Sequence, residues 1–206
     1  MALDIELPEG LRRAGAADWK QVGDITGEAF ETDPVNLWIF GNTGPLRRTF
    51  SVLAQEIYLK HGICHLAGDG GATMWIESQN QKELGLWPVL RLLPTLLLKG
   101  SSGALQRALK AADVMQENHP TDPHLYLFTI GTRKANRGKG LGKLMMRPMT
   151  AAADRAGLPC YLENSNPMNT GFYNSNGFER MKLFEVGPGA PPMEAMWREP
   201  RNPQRI

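Results

Sequence analysis

The chain has 206 residues, of which 42% are hydrophobic and 21% charged. That length and balance suit one globular domain with a substantial core and leave little room for a second. A net charge of only +2 gives the whole molecule no electrostatic reason to seek nucleic acid or an anionic membrane, so neither is an expected partner.

Met1 to Glu6 lacks the basic-then-apolar pattern of a secretory signal, and the residues around Leu11 form a short strand candidate. From Ala16 to Glu31 the apolar residues Trp19, Val22, Ile25 and Ala29 share one helical face, with Asp18 in the first turn, where its charge suits the helix dipole. Asp33-Pro34 restarts a short helix, Asp as the cap and Pro at the first helical position. Pro45 starts a longer one, with Leu46, Phe50, Leu53 and Ile57 spaced by four, three and four and Gly62 at its end. Ile63–Ala67 and Ala72–Ile76 are strand candidates, and Asp69-Gly70 between them predicts an antiparallel hairpin. Cys64 and Cys160 each lie in a strand-like segment and read as reduced core thiols, which suits a cytoplasmic protein. No Cys/His cluster has metal-ligand spacing, so no metal is expected.

From Gln79 to His119 the pattern changes to a helical insertion. Its longest apolar run, Leu84 to Leu98, is broken by Pro88, Arg91 and Pro94 and falls short of a membrane span. Ser101 and Ser102 precede a helix whose apolar face includes Leu105, Ala108, Leu109 and Ala112. The segment is long for a link between strands, and packing against the sheet is its expected role, ahead of a substrate lid.

Leu125 to Ile130 is rich in residues that fit a buried strand. After a turn through glycines and basic residues, Leu144, Met145, Met149 and Ala152 resume at helical spacing. Strand, glycine-rich loop and helix together aim free backbone N–H groups and a helix dipole at one spot, a design that suits a phosphate. Arg133, Lys134, Arg137, Lys139, Lys143 and Arg147 bracket that loop, and a polyanionic cofactor accounts for them better than a solvated basic face. The loop is not a nucleotide-hydrolase P-loop, because Leu144 follows Lys143 and Arg137 stands where the first glycine belongs. Nor is it a dinucleotide fingerprint, because Lys143 or Met145 falls at the third glycine.

Gly157 stops the helix, and Leu158–Glu163 forms a strand parallel to Leu125–Ile130 through a right-handed crossover. Asn166 caps the next helix, with Pro167 at its first position; that helix runs through Phe172 and Tyr173 and ends near Asn176-Gly177. Phe178–Val186 and Met193–Arg198 are the last strands, expected to pair.

Arg137-Gly138-Lys139-Gly140-Leu141-Gly142 matches Gln/Arg-x-x-Gly-x-Gly/Ala directly after a strand and resembles the pyrophosphate loop of the GNAT superfamily of acetyl-CoA-dependent N-acetyltransferases. Alone, such a loop also fits a basic surface turn. Downstream, Asn166-x-x-Asn169-x-x-x-Tyr173-x-x-x-Gly177-Phe178 resembles the C-terminal motif of the same family, and two motifs in order on the expected elements strengthen the resemblance. It is strong over residues 124–180 and rests on element order elsewhere. His-Leu-Tyr-Leu and Tyr-Leu-Glu-x-Ser-Asn also look like the branch that includes puromycin-type antibiotic acetyltransferases. Thr132 and Lys134 depart from the frequent Leu-Gly-Val-x-Pro, which leaves the loop entry without its rigid proline.

The resemblance implies an α/β (α+β) fold: one domain over residues 1–206, with a mixed, mostly antiparallel sheet, a splayed parallel central strand pair and helices on both faces. It implies acetyl-CoA as co-substrate, the pyrophosphate on Gly138, Lys139, Gly140, Leu141, Gly142 and Lys143, with Arg137 adding charge. It assigns the pantetheine and acetyl group to main chain around Ile130, Gly131 and Thr132, and further cofactor contacts to Asn166, Asn169 and Phe172. Tyr173 would be the general acid for the departing thiolate, with core packing as its alternative role. Glu163 is a candidate base, equally suited to a structural hydrogen bond; Glu31 and Asp33 are weaker candidates for recognising a cationic substrate. His65 and His124 read as structural. The expected reaction moves an acetyl group to the primary amine of a small molecule by direct attack in a ternary complex, the alternative being a non-catalytic acyl-CoA-binding or regulatory module. A monomer and a homodimer both fit the sequence.

Overall fold

The structure is a computed structural model that describes residues 3–80 and 86–201; the start of the insertion's apolar run, residues 84 and 85, and the first two residues of the chain lie outside the described residues. The elements in order are β1 (Arg12–Arg13), α1 (Trp19–Ala29), α2 (Pro34–Phe40), α3 (Leu46–Leu53), α4 (Leu59–His61), β2 (Ile63–Ala67), β3 (Gly71–Glu77), α5 (Leu86–Lys99), α6 (Ala104–Asn118), β4 (Leu125–Thr132), α7 (Leu141–Ala156), β5 (Cys160–Asn164), α8 (Thr170–Ser175), β6 (Glu179–Glu185) and β7 (Pro192–Arg198). Seven strands form one sheet in the order β1-β2-β3-β4-β5-β7-β6. Every neighbouring pair is antiparallel except β4 and β5, which run parallel.

Local chemistry sets most of these boundaries. Asp33 caps α2, its carboxylate accepting from the Asn36 N–H at 2.8 Å, and Gly157 closes α7 in the left-handed conformation, its N–H reaching back to Ala153 and Asp154. Val22 and Ile25 put the apolar stripe of α1 fully into the core. Against them α1 and α3 approach closely: a Cβ on Gly23 would stand 2.3 Å from the Ser51 Cα, so only glycine fits there. Between α3 and α4 the helix passes through a π-helical turn, Ala54–Tyr58. That turn delivers the Tyr58 ring onto Phe128 of β4, centroids 4.6 Å apart and the rings stacked nearly parallel.

Alternation along the strands divides the core in two. Leu125 and Leu127 of β4 and Cys160 and Leu162 of β5 pack with Met146 and Met149 of α7 and with Tyr173 of α8. On the other face Tyr126, Phe128 and Tyr161 meet α1, α3 and α5. Here the insertion follows the sequence expectation in part. Helix α5 packs on α3 and α6 on α2; Leu92 and Leu96 join the buried cluster that holds Tyr126 and Tyr161, Leu105 and Ala108 pack against it, and Leu105, Ala108, Leu109 and Ala112 also line a cavity, which the sequence did not foretell. An amphipathic stripe specifies an apolar neighbour, not whether that neighbour is sheet or void.

Candidate active site

The parallel pairing of β4 and β5 covers only Leu125 to Leu127 against Cys160 to Leu162. Beyond it, β4 from Thr129 to Thr132 pairs with β3 alone, and Glu163 and Asn164 pair with β7 alone. The strands therefore part, and each turns an unpaired row of backbone groups toward the gap. Phe128 is the residue that the β3–β4 register skips, between Met74 paired with Thr129 and Trp75 paired with Leu127. Such a bulge sharpens the local twist and bends β4 away from β5.

A cavity of about 510 Å³ opens at this gap, the size expected for a small-molecule site. Its walls are mostly apolar, with Phe30 at the end of α1, Phe50 of α3, Phe128 of β4, and Leu92, Leu96 and Leu105 from the insertion. The polar groups that reach it include His119, Tyr126, Glu163, Asn169 and Tyr173, and Ile130 lines it as well. A second hollow, about 430 Å³, lies among Asp24, Arg47, Asp69 and Arg133. Most of its arginine charge is paired: Arg133 binds Asp24, Glu28 and Asp69, and Arg47 binds Asp24 and Glu31, while Lys20 and Arg48 also line it.

The glycine loop follows β4. Gly138 and Gly140 adopt φ of +76° and +81°, values that other residues rarely take, and these turn the chain into α7. The amides of residues 138 to 143 have no hydrogen-bond acceptor among the described residues, as the start of a helix dictates. Six N–H groups thus cluster at the positive end of a 16-residue helix. Lys139 and Lys143 are exposed beside them. Arg137 donates to the Ala29 carbonyl at 3.0 Å and ties the loop to α1. Arg133, basic in sequence and close by, is drawn away by its three carboxylates.

Helix α8 meets the start of α7 where Phe172 abuts Gly142; a Cβ on that glycine would lie 3.1 Å from the ring. The next residue, Tyr173, is buried except for its face on the cavity, and its hydroxyl has no hydrogen-bond partner among the described residues. Burial, then the nearby Asp33 charge, push its phenol above the ordinary range, so it holds its proton at neutral pH. The approach to α8 is fixed by Glu194 of β7, whose carboxylate accepts from Asn164 at 2.8 Å and Thr170 at 2.6 Å. Asn169 lines the cavity. Asn166 does not share that placement: its side chain accepts from the Met168 N–H at 3.1 Å as the cap of a 3-10 turn, Pro167–Asn169.

Glu163 is almost fully buried, its side chain only 2% exposed. The Tyr126 hydroxyl donates to its Oε2 at 2.6 Å, and Tyr126 is held well above the usual phenol range by burial and then by the Glu163 charge. His119 Nδ1 lies 3.5 Å from its Oε1, which makes no hydrogen bond. Among the other sequence candidates, Glu31 pairs with Arg47 at the surface. Asp33 is buried under the bonds from Asn36 and Ser165. His65 is buried beside Thr73. The sequence reading passed over His119, although two histidines flanking Pro120-Thr121-Asp122-Pro123 carried a signal, since a turn fixed by two prolines brings such rings together. Among the described residues no helix is long and apolar enough to cross a membrane, and no cluster of His, Cys, Asp or Glu could hold a metal.

Residues 109–178 match the model of the acetyltransferase (GNAT) family. Over 209 aligned residues the chain is 27% identical to an N-acetyltransferase of Schizosaccharomyces pombe described as uncharacterized, covering 92% of this chain and 83% of that one. Among solved structures, it is similar to one titled histone acetyltransferase HPA2 and related acetyltransferase from Corynebacterium glutamicum. That likeness has a TM-score of 0.66 at 24% identity and covers 94% and 97% of the two chains. It is also similar to arylalkylamine N-acetyltransferase 2 from Aedes aegypti, with a TM-score of 0.60 at 14% identity over 93% and 98% of the chains. Taken with the parted strand pair and the bare loop amides, the fold is a single GNAT-like α/β domain, and the chain is similar to GNAT acetyltransferases over residues 109–178.

Proposed function

We propose that the protein transfers the acetyl group of acetyl-CoA to the primary amine of a small, largely apolar molecule. The observation that carries this reading is the parting of β4 and β5 beyond Leu127 and Leu162 at a cavity that Tyr173 and Glu163 share. The residues present fit the co-substrate. Unpaired amides of Gly138, Lys139, Gly140, Leu141, Gly142 and Lys143 suit a pyrophosphate, with Arg137 and Lys139 supplying charge. The open edge of β4 at Ile130, Gly131 and Thr132 suits an extended amide-bearing arm, and Asn169 and Phe172 flank it. When bound, acetyl-CoA supplies an activated thioester. An N–H on the β4 edge then stabilises charge on the acetyl oxygen, Glu163 accepts a proton from the incoming ammonium, and the Tyr173 hydroxyl gives one to the departing sulfur.

The acceptor's body is read from the walls. Aromatic and leucine side chains reward an aryl or alkyl group, and the buried carboxylate of Glu163 rewards its ammonium head. The resemblance to puromycin-type acetyltransferases points the same way. A thiol-release assay with acetyl-CoA across 2-phenylethylamine, hexylamine, a puromycin-like amine, spermidine and an aminoglycoside tests the proposal: the first three turn over faster than the polycations. Tight CoA binding with no transfer to any amine favours the non-catalytic acyl-CoA-binding module instead.

A further inference from the structure

The proton that the acceptor must lose has a more elaborate receiver than one carboxylate. From the cavity inward, Glu163 Oε1 stands 3.5 Å from His119 Nδ1. His119 Nε2 lies 2.9 Å from His124 Nε2, and His124 Nδ1 lies 2.7 Å from the Asp122 carbonyl. Hydrogen-bond logic fixes the protons along this row. A carbonyl only accepts, so His124 carries its hydrogen on Nδ1. Burial favours the neutral form of that ring, which leaves Nε2 as an acceptor. His119 must then donate from Nε2, and in its neutral form its Nδ1 faces the carboxylate with a lone pair. Two acceptors that face each other repel, and Oε1 is one of the few buried side-chain oxygens with no hydrogen bond. One added proton between Nδ1 and Oε1 satisfies both.

We propose that His119, held in this tautomer by His124, shares with Glu163 the proton released by the acceptor's ammonium. The inference rests on the acetyl-transfer reading and extends it. Glu163 and His119 both line the cavity and are the catalytic pair, whereas His124 lies behind them and is a positioning residue. The balance is simple: the ammonium gives one proton to the Glu163–His119 pair and becomes a neutral amine. That amine attacks the thioester carbon, the C–S bond breaks as Tyr173 gives its proton to the leaving sulfur, and the nitrogen's second proton restores the Tyr173 phenol. The stored proton departs after turnover. Other titratable groups around the pair are Tyr126 on β4, Tyr161 on β5, Tyr58 from the π-helical turn and Asp113 on α6. The three phenols are raised by burial and stay neutral in the working range.

The test uses the full chain, acetyl-CoA and 2-phenylethylamine or another amine that the wild type acetylates. His119→Gln is expected to lower kcat/KM for the amine about 30-fold near neutral pH and, because Glu163 alone holds the proton less tightly than the pair, to move the acidic limb downward by about one pH unit, with KM for acetyl-CoA unchanged. His124→Phe does the same, while His124→Gln, which keeps an acceptor toward His119 and a donor toward Asp122, restores most of the rate. Limbs that stay at the wild-type pH in both His119→Gln and His124→Phe overturn the proposal. Nitrogen-15 spectra of the wild-type rings at neutral pH offer a readout independent of turnover: the His124 proton sits on Nδ1, and a proton on Nε2 instead overturns the tautomer assignment. A wild type that acetylates no amine defeats the acetyl-transfer reading, a different failure from silent histidine variants in an active enzyme.

Discussion

Leu127 and Leu162 are the last residues that pair across the parallel strands β4 and β5. Two residues further along each chain the backbones face an opening rather than each other. The bulge at Phe128 and the docking of β5 on β7 keep it open, so the cleft belongs to the sheet's own geometry and needs no movable lid.

The free hydroxyl of Tyr173, facing that cleft from α8, predicts a split in the kinetics. Tyr173→Phe removes one oxygen from a position with no hydrogen bond to lose, so folding should be unaffected. Loss of a positioned acid should lower kcat by about 10²-fold with little change in KM for acetyl-CoA. Steady-state assays read both numbers, and an unchanged kcat assigns the ring to packing.

At Gly140 the constraint is conformational. An added Cβ meets nothing within 4 Å, yet φ of +81° strains any alanine placed there, at a cost of roughly 1–2 kcal/mol. Relaxation of that strain turns the loop amides aside. Gly140→Ala should therefore weaken CoA binding by about tenfold in a calorimetric titration while moving the melting temperature little. Equal affinity would place the pyrophosphate elsewhere.

Arg198 of β7 is 4% exposed and donates two 2.7 Å bonds to Asp154 of α7. Removing only the acid strands a buried cation, which typically costs about 3–5 kcal/mol. Asp154→Ala should lower the unfolding midpoint more than Asp154→Ala combined with Arg198→Met. If the double variant is the less stable of the two, Arg198 is not stranded by loss of Asp154, and its bonds to the Asn176 and Glu199 carbonyls hold it.

Stability should also depend on pH through His65. Burial, then the charge of Arg13, lowers its imidazole to about 4, below the ordinary value near 6.5. The unfolded chain therefore takes up this proton first. The contribution is complete above about pH 6.5 and disappears as pH falls toward 4, a loss of roughly 1–3 kcal/mol. Urea denaturation between about pH 7.5 and 4.5 measures it, and His65→Leu should flatten the decline. An equally steep decline in that variant would falsify the assignment.

Local chemistry made most of the fold readable. Asp33-Pro34, Gly157 and the Asp69-Gly70 turn each act within a few residues, and each appears where its chemistry requires. The loop and Tyr173 were legible for the same reason, because glycine conformations and one-turn helical spacing are local. The Glu163–His119–His124 row was not. It joins residues 44 apart in sequence through ring packing across two strands, and nothing in either stretch encodes the distance. Asn166 carried two readings, a motif position and a helix cap, and its side chain is the cap that Asn-Pro chemistry specifies.

The position of β7 has a consequence for how the protein is made. It sits between β5 and β6, so the strand that carries Glu163 gains its second neighbour only after residues 192–198 have left the ribosome. Until then the nascent chain shows a bare parallel edge of the sort chaperones bind. A site built on β5 should therefore form only once β7 has docked.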